Sequence, residues 1–101
     1  MKGYVVANVS VRDAAAYEGY RSQTAAIIAQ YDGRFLVRGG AVEVREGEPG
    51  IGRLVILEFP SVEAARTFYD SSEYQAILPI RLDNASSTLV IVEGAAGEPS
   101  G

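Results

Sequence analysis

Four polar side chains on predicted strands form the strongest candidate for chemistry in this sequence. They are Asn8, Arg38 and Glu58, with the phenol of Tyr4 at their edge. Alternation along each strand places all four on one face of a sheet, provided that Arg38 keeps the parity of its own strand. A buried arginine requires a carboxylate partner, and Glu58 is the obvious one. The sequence therefore predicts a buried ion pair between Arg38 and Glu58.

This predicted ion pair has a functional and a structural interpretation. In the functional one, Arg38 binds the anionic or carbonyl group of a small organic ligand, and Glu58 orients that ligand or transfers a proton, as in isomerisation or enolate chemistry. In the structural one, the pair only holds two sheets together, since buried ion pairs often carry no chemistry. The functional interpretation makes Glu58 and Arg38 the candidate catalytic residues.

The candidate ligand-binding residues are Tyr4, Asn8, Tyr17 and Arg38. Tyr17 is included because it lies near the start of a predicted helix, where the mouth of a pocket could open. The remaining tyrosines recur at helical spacing, and we interpret them as core residues whose hydroxyl groups reach the surface.

The composition excludes several other kinds of site. The 101 residues contain no Cys and no His. Ser-His and Cys-His nucleophilic pairs, thiolate metal sites, His-ligated haem and the 2-His-1-carboxylate iron site therefore cannot form within one chain. We expect no cofactor and no metal, so acid–base chemistry must fall to Asp, Glu, Tyr, Lys or Arg.

Charge and hydropathy indicate which partners and locations fit the chain. The net charge is −4 and the acidic residues are scattered, which argues against a nucleic acid or an anionic membrane as partner. The first residues lack the apolar run and cleavage site of a signal peptide, and no stretch approaches membrane-spanning length. The cytoplasm is the expected location.

Hydrophobic periodicity predicts the elements that must position these side chains. Asp13 caps a helix that runs to about Tyr31, Ser61 caps a second helix, and a short helical segment ends or kinks at Pro79. Four segments are predicted as strands, and they span residues 4–11, 33–44, 53–59 and 88–93. A polar, Gly- and Pro-containing loop, 45–52, is short enough for a hairpin between the second and third strands.

Glycines punctuate the second predicted strand. Gly33 is expected to end the preceding helix in the left-handed conformation. Gly39 and Gly40 lie inside the strand and predict a β-bulge there. Such a bulge could bend the strand towards a partner subunit.

The predicted order is β-α-β-β-α-β, which is the ferredoxin-like arrangement of the α+β class. It gives a four-stranded antiparallel sheet with the helices on one face. We expect one domain over residues 1–94 and a flexible C-terminal tail over residues 95–101, because that tail is small, polar and contains Pro.

The face of the sheet without helices also carries apolar residues. In the third and fourth strands, both alternating sets are largely apolar, as in a sheet that is buried on two sides. A monomer rarely exposes such a surface. The sequence therefore predicts a homodimer through the sheet face, with two-fold symmetry.

Several short motifs together resemble a known family. They are Gly3-Tyr4, Ala16-Tyr17, the run GRFLVRGG at 33–40, EFPS at 58–61, Ala64-Ala65 and SEYQ at 72–75. Over residues 2–94 this combination resembles the bacterial domain-of-unknown-function family 1330. The resemblance implies the dimeric α+β barrel fold but lends no catalytic residues.

The wider dimeric-barrel superfamily suggests further functions by analogy. It includes cofactor-independent monooxygenases and haem-degrading enzymes, and this chain lacks the histidine that haem branches use as axial ligand. Three hypotheses follow. The first is binding of a small anionic or carbonyl ligand, with or without proton-transfer catalysis. The alternatives are a cofactor-independent monooxygenase of small aromatic substrates and a non-catalytic structural or regulatory dimer.

Overall fold

The computed structural model describes residues 1–48 and 50–95 of the chain and confirms the predicted ferredoxin-like α+β fold. The elements in chain order are β1 (Gly3–Val11), α1 (Ala14–Gln30), β2 (Arg34–Arg38), β3 (Arg53–Phe59), α2 (Val62–Asp70), α3 (Ser72–Asn84) and β4 (Ala85–Glu93). The sheet order is β2-β3-β1-β4, and every neighbouring pair is antiparallel.

No helix in the described part of the chain is both long and apolar enough to cross a membrane. All but the first residue of the predicted tail lies outside the described residues.

The hydrophobic core lies between the sheet and the helices. Alternation along β1 buries Val5, Ala7 and Val9, which are only 1%, 6% and 2% exposed. Phe68 of α2 and Tyr74 of α3 cover this face of the sheet and are each 1% exposed. Burial of one such side chain contributes about 1.5–3 kcal/mol, so the position of the helices is set by this face.

The helix α1 begins as predicted and ends differently. The carboxylate of Asp13 accepts a hydrogen bond from the backbone N–H of Ala16 at 3.0 Å, which confirms it as the N-cap. At the other end Asp32, not Gly33, takes the left-handed conformation, with φ at 64°. A glycine is needed at position 33 because a Cβ there would lie 2.5 Å from Cε1 of Phe59. The predicted left-handed glycine is therefore wrong, and close packing explains the residue.

The helix α3 continues past Pro79, which the sequence predicted as its end or kink. It runs to Asn84, and β4 begins at Ala85 rather than at residue 88. A proline inside a helix removes one backbone hydrogen bond and costs about 3 kcal/mol. Ile77 and Leu78 before the proline and Arg81 after it are all buried, so packing against the core outweighs that cost. As a consequence, Arg81 lies on the core face of a helix.

The strand β2 is shorter than predicted, and its irregularity lies elsewhere. It ends at Arg38, and its register against β3 shifts between Phe35 and Val37 instead of at the glycine pair. Gly39 follows the strand with φ at 70°, in the left-handed region that glycine adopts most readily. The register shift changes the face to which the end of β2 points, as described below.

We predict that Gly33→Ala destabilises the fold by about 1–3 kcal/mol, because a Cβ at this position must displace the ring of Phe59. Gly40→Ala is the matched control, since a Cβ there meets nothing within 4 Å. The control should change the stability by no more than about 0.5 kcal/mol. Urea unfolding of both variants measures the difference. Equal midpoints for the two variants would contradict this explanation of Gly33.

Candidate functional site

Glu58 lies on the face of the sheet without helices and pairs with Arg34, not with Arg38. Its Oε1 accepts a hydrogen bond from Nε of Arg34 at 2.9 Å and lies 2.8 Å from Nη2 of the same guanidinium in an ion pair. Its Oε2 accepts a hydrogen bond from the hydroxyl group of Tyr4 at 3.0 Å. The predicted ion pair between Arg38 and Glu58 is therefore wrong. The register shift in β2 is the reason, because it turns Arg38 to the opposite face.

These hydrogen bonds keep Glu58 ionised. The bonds from Arg34 and Tyr4 hold the pKa of Glu58 below its ordinary value, and the bond to Glu58 raises the pKa of Tyr4. Both carboxylate oxygens have partners, and the side chain is only 13% exposed. Such a carboxylate has little capacity to accept a proton from a ligand.

We predict that Glu58→Gln lowers the free energy of unfolding at pH 7. The difference in free energy of unfolding between this variant and the wild type should become smaller as the pH falls. Because the folded-state pKa of Glu58 is depressed, its contribution is present above the ordinary glutamate value of 4.5 and is lost as the pH falls through the folded-state pKa. Urea unfolding between pH 7 and pH 3 measures this difference. Glu43→Gln is the control, since Glu43 is 78% exposed and should have little effect at any pH. A difference that stays constant down to pH 3 would refute the role of the ionised carboxylate.

Asn8 lies on the same face and binds the backbone of the chain. Its Nδ2 donates to the carbonyl oxygen of Gly50 at 2.8 Å, and its Oδ1 accepts from the N–H of Gly52 at 2.8 Å. Both ends of the amide group therefore hold the segment that leads into β3. The structure places Tyr4, Asn8 and Glu58 on one face, as the alternation predicts, but gives each of them a partner within the chain.

Arg38 and Tyr17 come together on the other side of the sheet. Both line a cavity of about 40 Å³ between the sheet and the helices. The Nη2 of Arg38 donates to the carbonyl oxygen of Arg21 at 3.2 Å, and its guanidinium carbon lies 4.3 Å from the centroid of the Phe35 ring. Arg38 is exposed, so it links β2 to α1 where the cavity meets the surface.

Arg53 and Arg81, which the sequence analysis missed, also line this cavity, together with Arg21. Arg53 at the start of β3 shares the parity of Val55 and Leu57, which face the helices. Arg81 follows Ile77 and Leu78 on the core face of α3. Their helical and strand spacing was a usable signal for both residues. For Arg81 this spacing continues past Pro79, where the sequence predicts that the helix ends or kinks.

Arg81 is almost completely enclosed, at 4% exposure. It donates hydrogen bonds to the hydroxyl groups of Tyr74, at 3.5 Å, and of Ser87. Its guanidinium carbon lies 5.8 Å from the centroid of the Tyr20 ring. Its Nε is buried and has no hydrogen-bond partner, and the same is true of the Nε of Arg53.

The phenols of Tyr17 and Tyr20 in the cavity wall have raised pKa values and are neutral at physiological pH. Burial raises the pKa of Tyr17, although the positive charges of Arg53 and Arg81 oppose this shift. Burial and the neighbouring Tyr74 raise the pKa of Tyr20 still further, and the hydroxyl oxygens of Tyr20 and Tyr74 lie 2.6 Å apart. These groups can therefore donate and accept hydrogen bonds but supply no negative charge.

The cavity is apolar, positively charged and free of acidic side chains. Its lining includes Arg21, Arg38, Arg53 and Arg81 and contains no Asp or Glu. Within the described ranges, 1–48 and 50–95, Arg21 forms an ion pair with Glu18 outside the cavity lining, and the other ion pairs are formed by Arg34 and Arg45. The arrangement can bind a small organic molecule that carries a negative or strongly polar group.

This architecture defines the chain as a ferredoxin-like α+β protein with a cavity between its sheet and its helices. Within that class, the chain belongs to the family described as domain of unknown function DUF1330, whose model matches residues 2–95. No curated protein matches the chain.

Solved structures share this fold at low sequence identity. A protein of unknown function from Rhodopseudomonas palustris has a TM-score of 0.74 and 18% identity, over 94% of this chain and 83% of that chain. SnoaB, a cofactor-independent oxygenase from Streptomyces nogalater, has a TM-score of 0.68 and 18% identity in a mutant form, over 98% of each chain. A dimeric ferredoxin-like protein of unknown function from Jannaschia sp. CCS1 has a TM-score of 0.64 and 12% identity, over 93% of this chain and 100% of that chain. At these identities the likeness shows the fold alone.

Proposed function

We propose that the protein is a homodimer that binds a small organic ligand, with an anionic or carbonyl group, in the cavity between sheet and helices. One observation carries this proposal: an apolar cavity is lined by four arginines, Arg21, Arg38, Arg53 and Arg81, and by no carboxylate. Apolar walls with a few convergent polar groups are typical of small-molecule sites. Arg38 and Tyr17 are the predicted ligand-binding residues that line this cavity.

The proposal is for binding and assigns no proton transfer to Glu58. Glu58 and Arg38 lie on opposite faces of the sheet, so within one chain they cannot act on the same ligand atom. We propose an architectural role for the carboxylate of Glu58, together with Arg34 and Tyr4. The monooxygenase hypothesis rests on the likeness to SnoaB alone, because no residue of the cavity favours oxygenation over binding.

We predict that a thermal-shift screen with small organic acids and carbonyl compounds yields ligands that raise the melting temperature. A ligand at a hundredfold excess over its Kd stabilises the folded state by about 2.7 kcal/mol. Ala7→Val, which adds two methyl groups to the floor of the cavity, should abolish the shift. Ala26→Val is the matched control, since Ala26 is exposed on α1. This variant should keep the ligand-induced rise in melting temperature.

Two outcomes of this screen would count against the proposal. A ligand that stabilises the wild type and Ala7→Val equally binds elsewhere on the protein. A library without any stabilising compound would favour the non-catalytic dimer instead.

The proposed dimer interface is the face of the sheet without helices. A cross-strand row of β-branched residues runs over this face, consisting of Val37, Ile56, Val6 and Val90. Val90 and Val92 on β4 are each 47% exposed in the single chain, and Leu36 on β2 is 45% exposed. A contiguous apolar surface of this kind is typical of an interface. The dimeric ferredoxin-like neighbour from Jannaschia supports a second copy as the cover.

We predict that the wild type sediments as a dimer at low micromolar concentration and that Ile56→Arg sediments as a folded monomer. Ile56 lies on a central strand, so the substitution places a charge within the proposed interface and leaves the opposite face intact. Leu82→Arg is the control, because Leu82 is 56% exposed on α3, away from the proposed interface. This variant should stay dimeric. A monomeric wild type would overturn the proposal, and so would an Ile56→Arg variant that remains dimeric.

A further inference from the structure

We propose that Arg53 and Arg81 form an anion subsite in the wall of the cavity and that this subsite takes the carboxylate group of a small organic acid. The inference rests on the proposed binding of a ligand in this cavity and names the class of that ligand. It is carried by the buried guanidinium group of Arg81 and the partly buried side chain of Arg53, each of which has a buried Nε without a hydrogen-bond partner and lacks a counter-charge within the described residues.

Arg81 is the stronger of the two observations. Transfer of a charge into a protein interior is costly, and buried charges are normally paired. At 4% exposure Arg81 instead has two neutral hydroxyl partners, on Tyr74 and Ser87, and its Nε has none. A guanidinium carries five donors in a planar fork that matches the two oxygens of a carboxylate. The Nε edge of Arg81 is therefore available for such a group.

Arg53 adds an independent observation from the sheet. Its Nε is also buried without a partner, and its guanidinium packs over Gly39. A Cβ at position 39 would lie 2.8 Å from the guanidinium carbon of Arg53, and φ of Gly39 is 70°. Gly39, which follows β2, thus leaves room for the side chain of Arg53. Strand β3 and helix α3 in this way bring two cationic groups to one apolar space.

The charges around the cavity require a negative group. None of the ion pairs within residues 1–48 and 50–95 involves Arg53 or Arg81. Their like charges repel more strongly in an apolar surrounding than in water. Tyr17 also lines the cavity, and burial raises the pKa of its hydroxyl group despite the opposing charges of Arg53 and Arg81, so this hydroxyl group can donate a hydrogen bond to an anion.

The size of the cavity favours a carboxylate. A water molecule needs about 10–15 Å³ of such a space, so a cavity of about 40 Å³ has room for roughly three heavy atoms. A carboxylate group has three, whereas a tetrahedral phosphate has five. The organic part of the acid would lie outside this enclosed space, towards Arg38, where the cavity meets the surface.

The test compares matched carboxylates and amides as probes. Sodium acetate, propionate and benzoate, and the corresponding amides, are titrated into the wild-type dimer at constant ionic strength, with thermal shift and calorimetry as readouts. We expect at least one carboxylate to bind about tenfold or more tightly than its amide, as the loss of a charged hydrogen-bond partner would give. If no carboxylate raises the melting temperature, or if the amides bind equally well, the subsite is refuted.

Substitutions then locate the preference for the anion. Arg81→Met should abolish the difference in affinity between a carboxylate and its amide. It should not lower the melting temperature in the absence of probe, because it removes a buried charge that has no counter-charge. Arg34→Met is the control on the opposite face and should keep the difference in affinity. Arg81→Lys retains a charge without the fork and should bind carboxylate with intermediate affinity, which serves the test if Arg81→Met does not fold. A preference that persists in Arg81→Met would overturn the inference.

The two proposals can fail separately. If the library screen gives neutral ligands while no carboxylate binds, ligand binding in the cavity stands and the anion subsite is refuted. If neither the library nor the carboxylates give a response, both proposals are refuted.

Discussion

A register shift of one residue in β2 decides which charges meet in this protein. Before the shift, Arg34 faces away from the helices and pairs with Glu58; after it, Arg38 faces the helices and lines the cavity. Without the shift, alternation would place both arginines on the same face, since they are four residues apart. One irregularity thus separates an ion pair on one face from an arginine-lined cavity on the other.

The separation gives the two faces of the sheet different electrostatics. On the face without helices, the charge of Glu58 is matched by Arg34 and by a hydrogen bond from Tyr4. On the helix face, the guanidinium groups of Arg53 and Arg81 have no carboxylate partner within the described part of the chain. The net charge of the chain is −4, yet its cavity is positive. Net charge therefore describes the outer surface of this protein and says little about the ligand that its interior can accept.

The sequence was sufficient to predict the order of elements, the helix caps and the side of β1 that is buried. These features follow from local rules, such as the Asp13 cap and strict alternation, that the tertiary structure leaves unchanged. The partner of Glu58 could not be predicted, because a bulge between Phe35 and Val37 has no local signal as strong as the glycine pair that follows it. The full length of α3 could not be predicted either. The cost of Pro79 can be seen in the local sequence, but the packing against the core that offsets this cost depends on distant parts of the chain.

Two local features, at Pro79 and at Gly39, place arginine side chains at the same cavity. The passage of α3 through Pro79 brings Arg81 onto the core face, and the left-handed turn at Gly39 makes space for Arg53. A fold that needed only a stable core would place apolar side chains at both positions, because these avoid the desolvation of a charge. Local rules are most often broken at functional sites, where the remainder of the structure offsets the cost. Packing accounts for the path of α3 through Pro79, and we propose that a ligand accounts for the two arginines that have no carboxylate partner within the described residues.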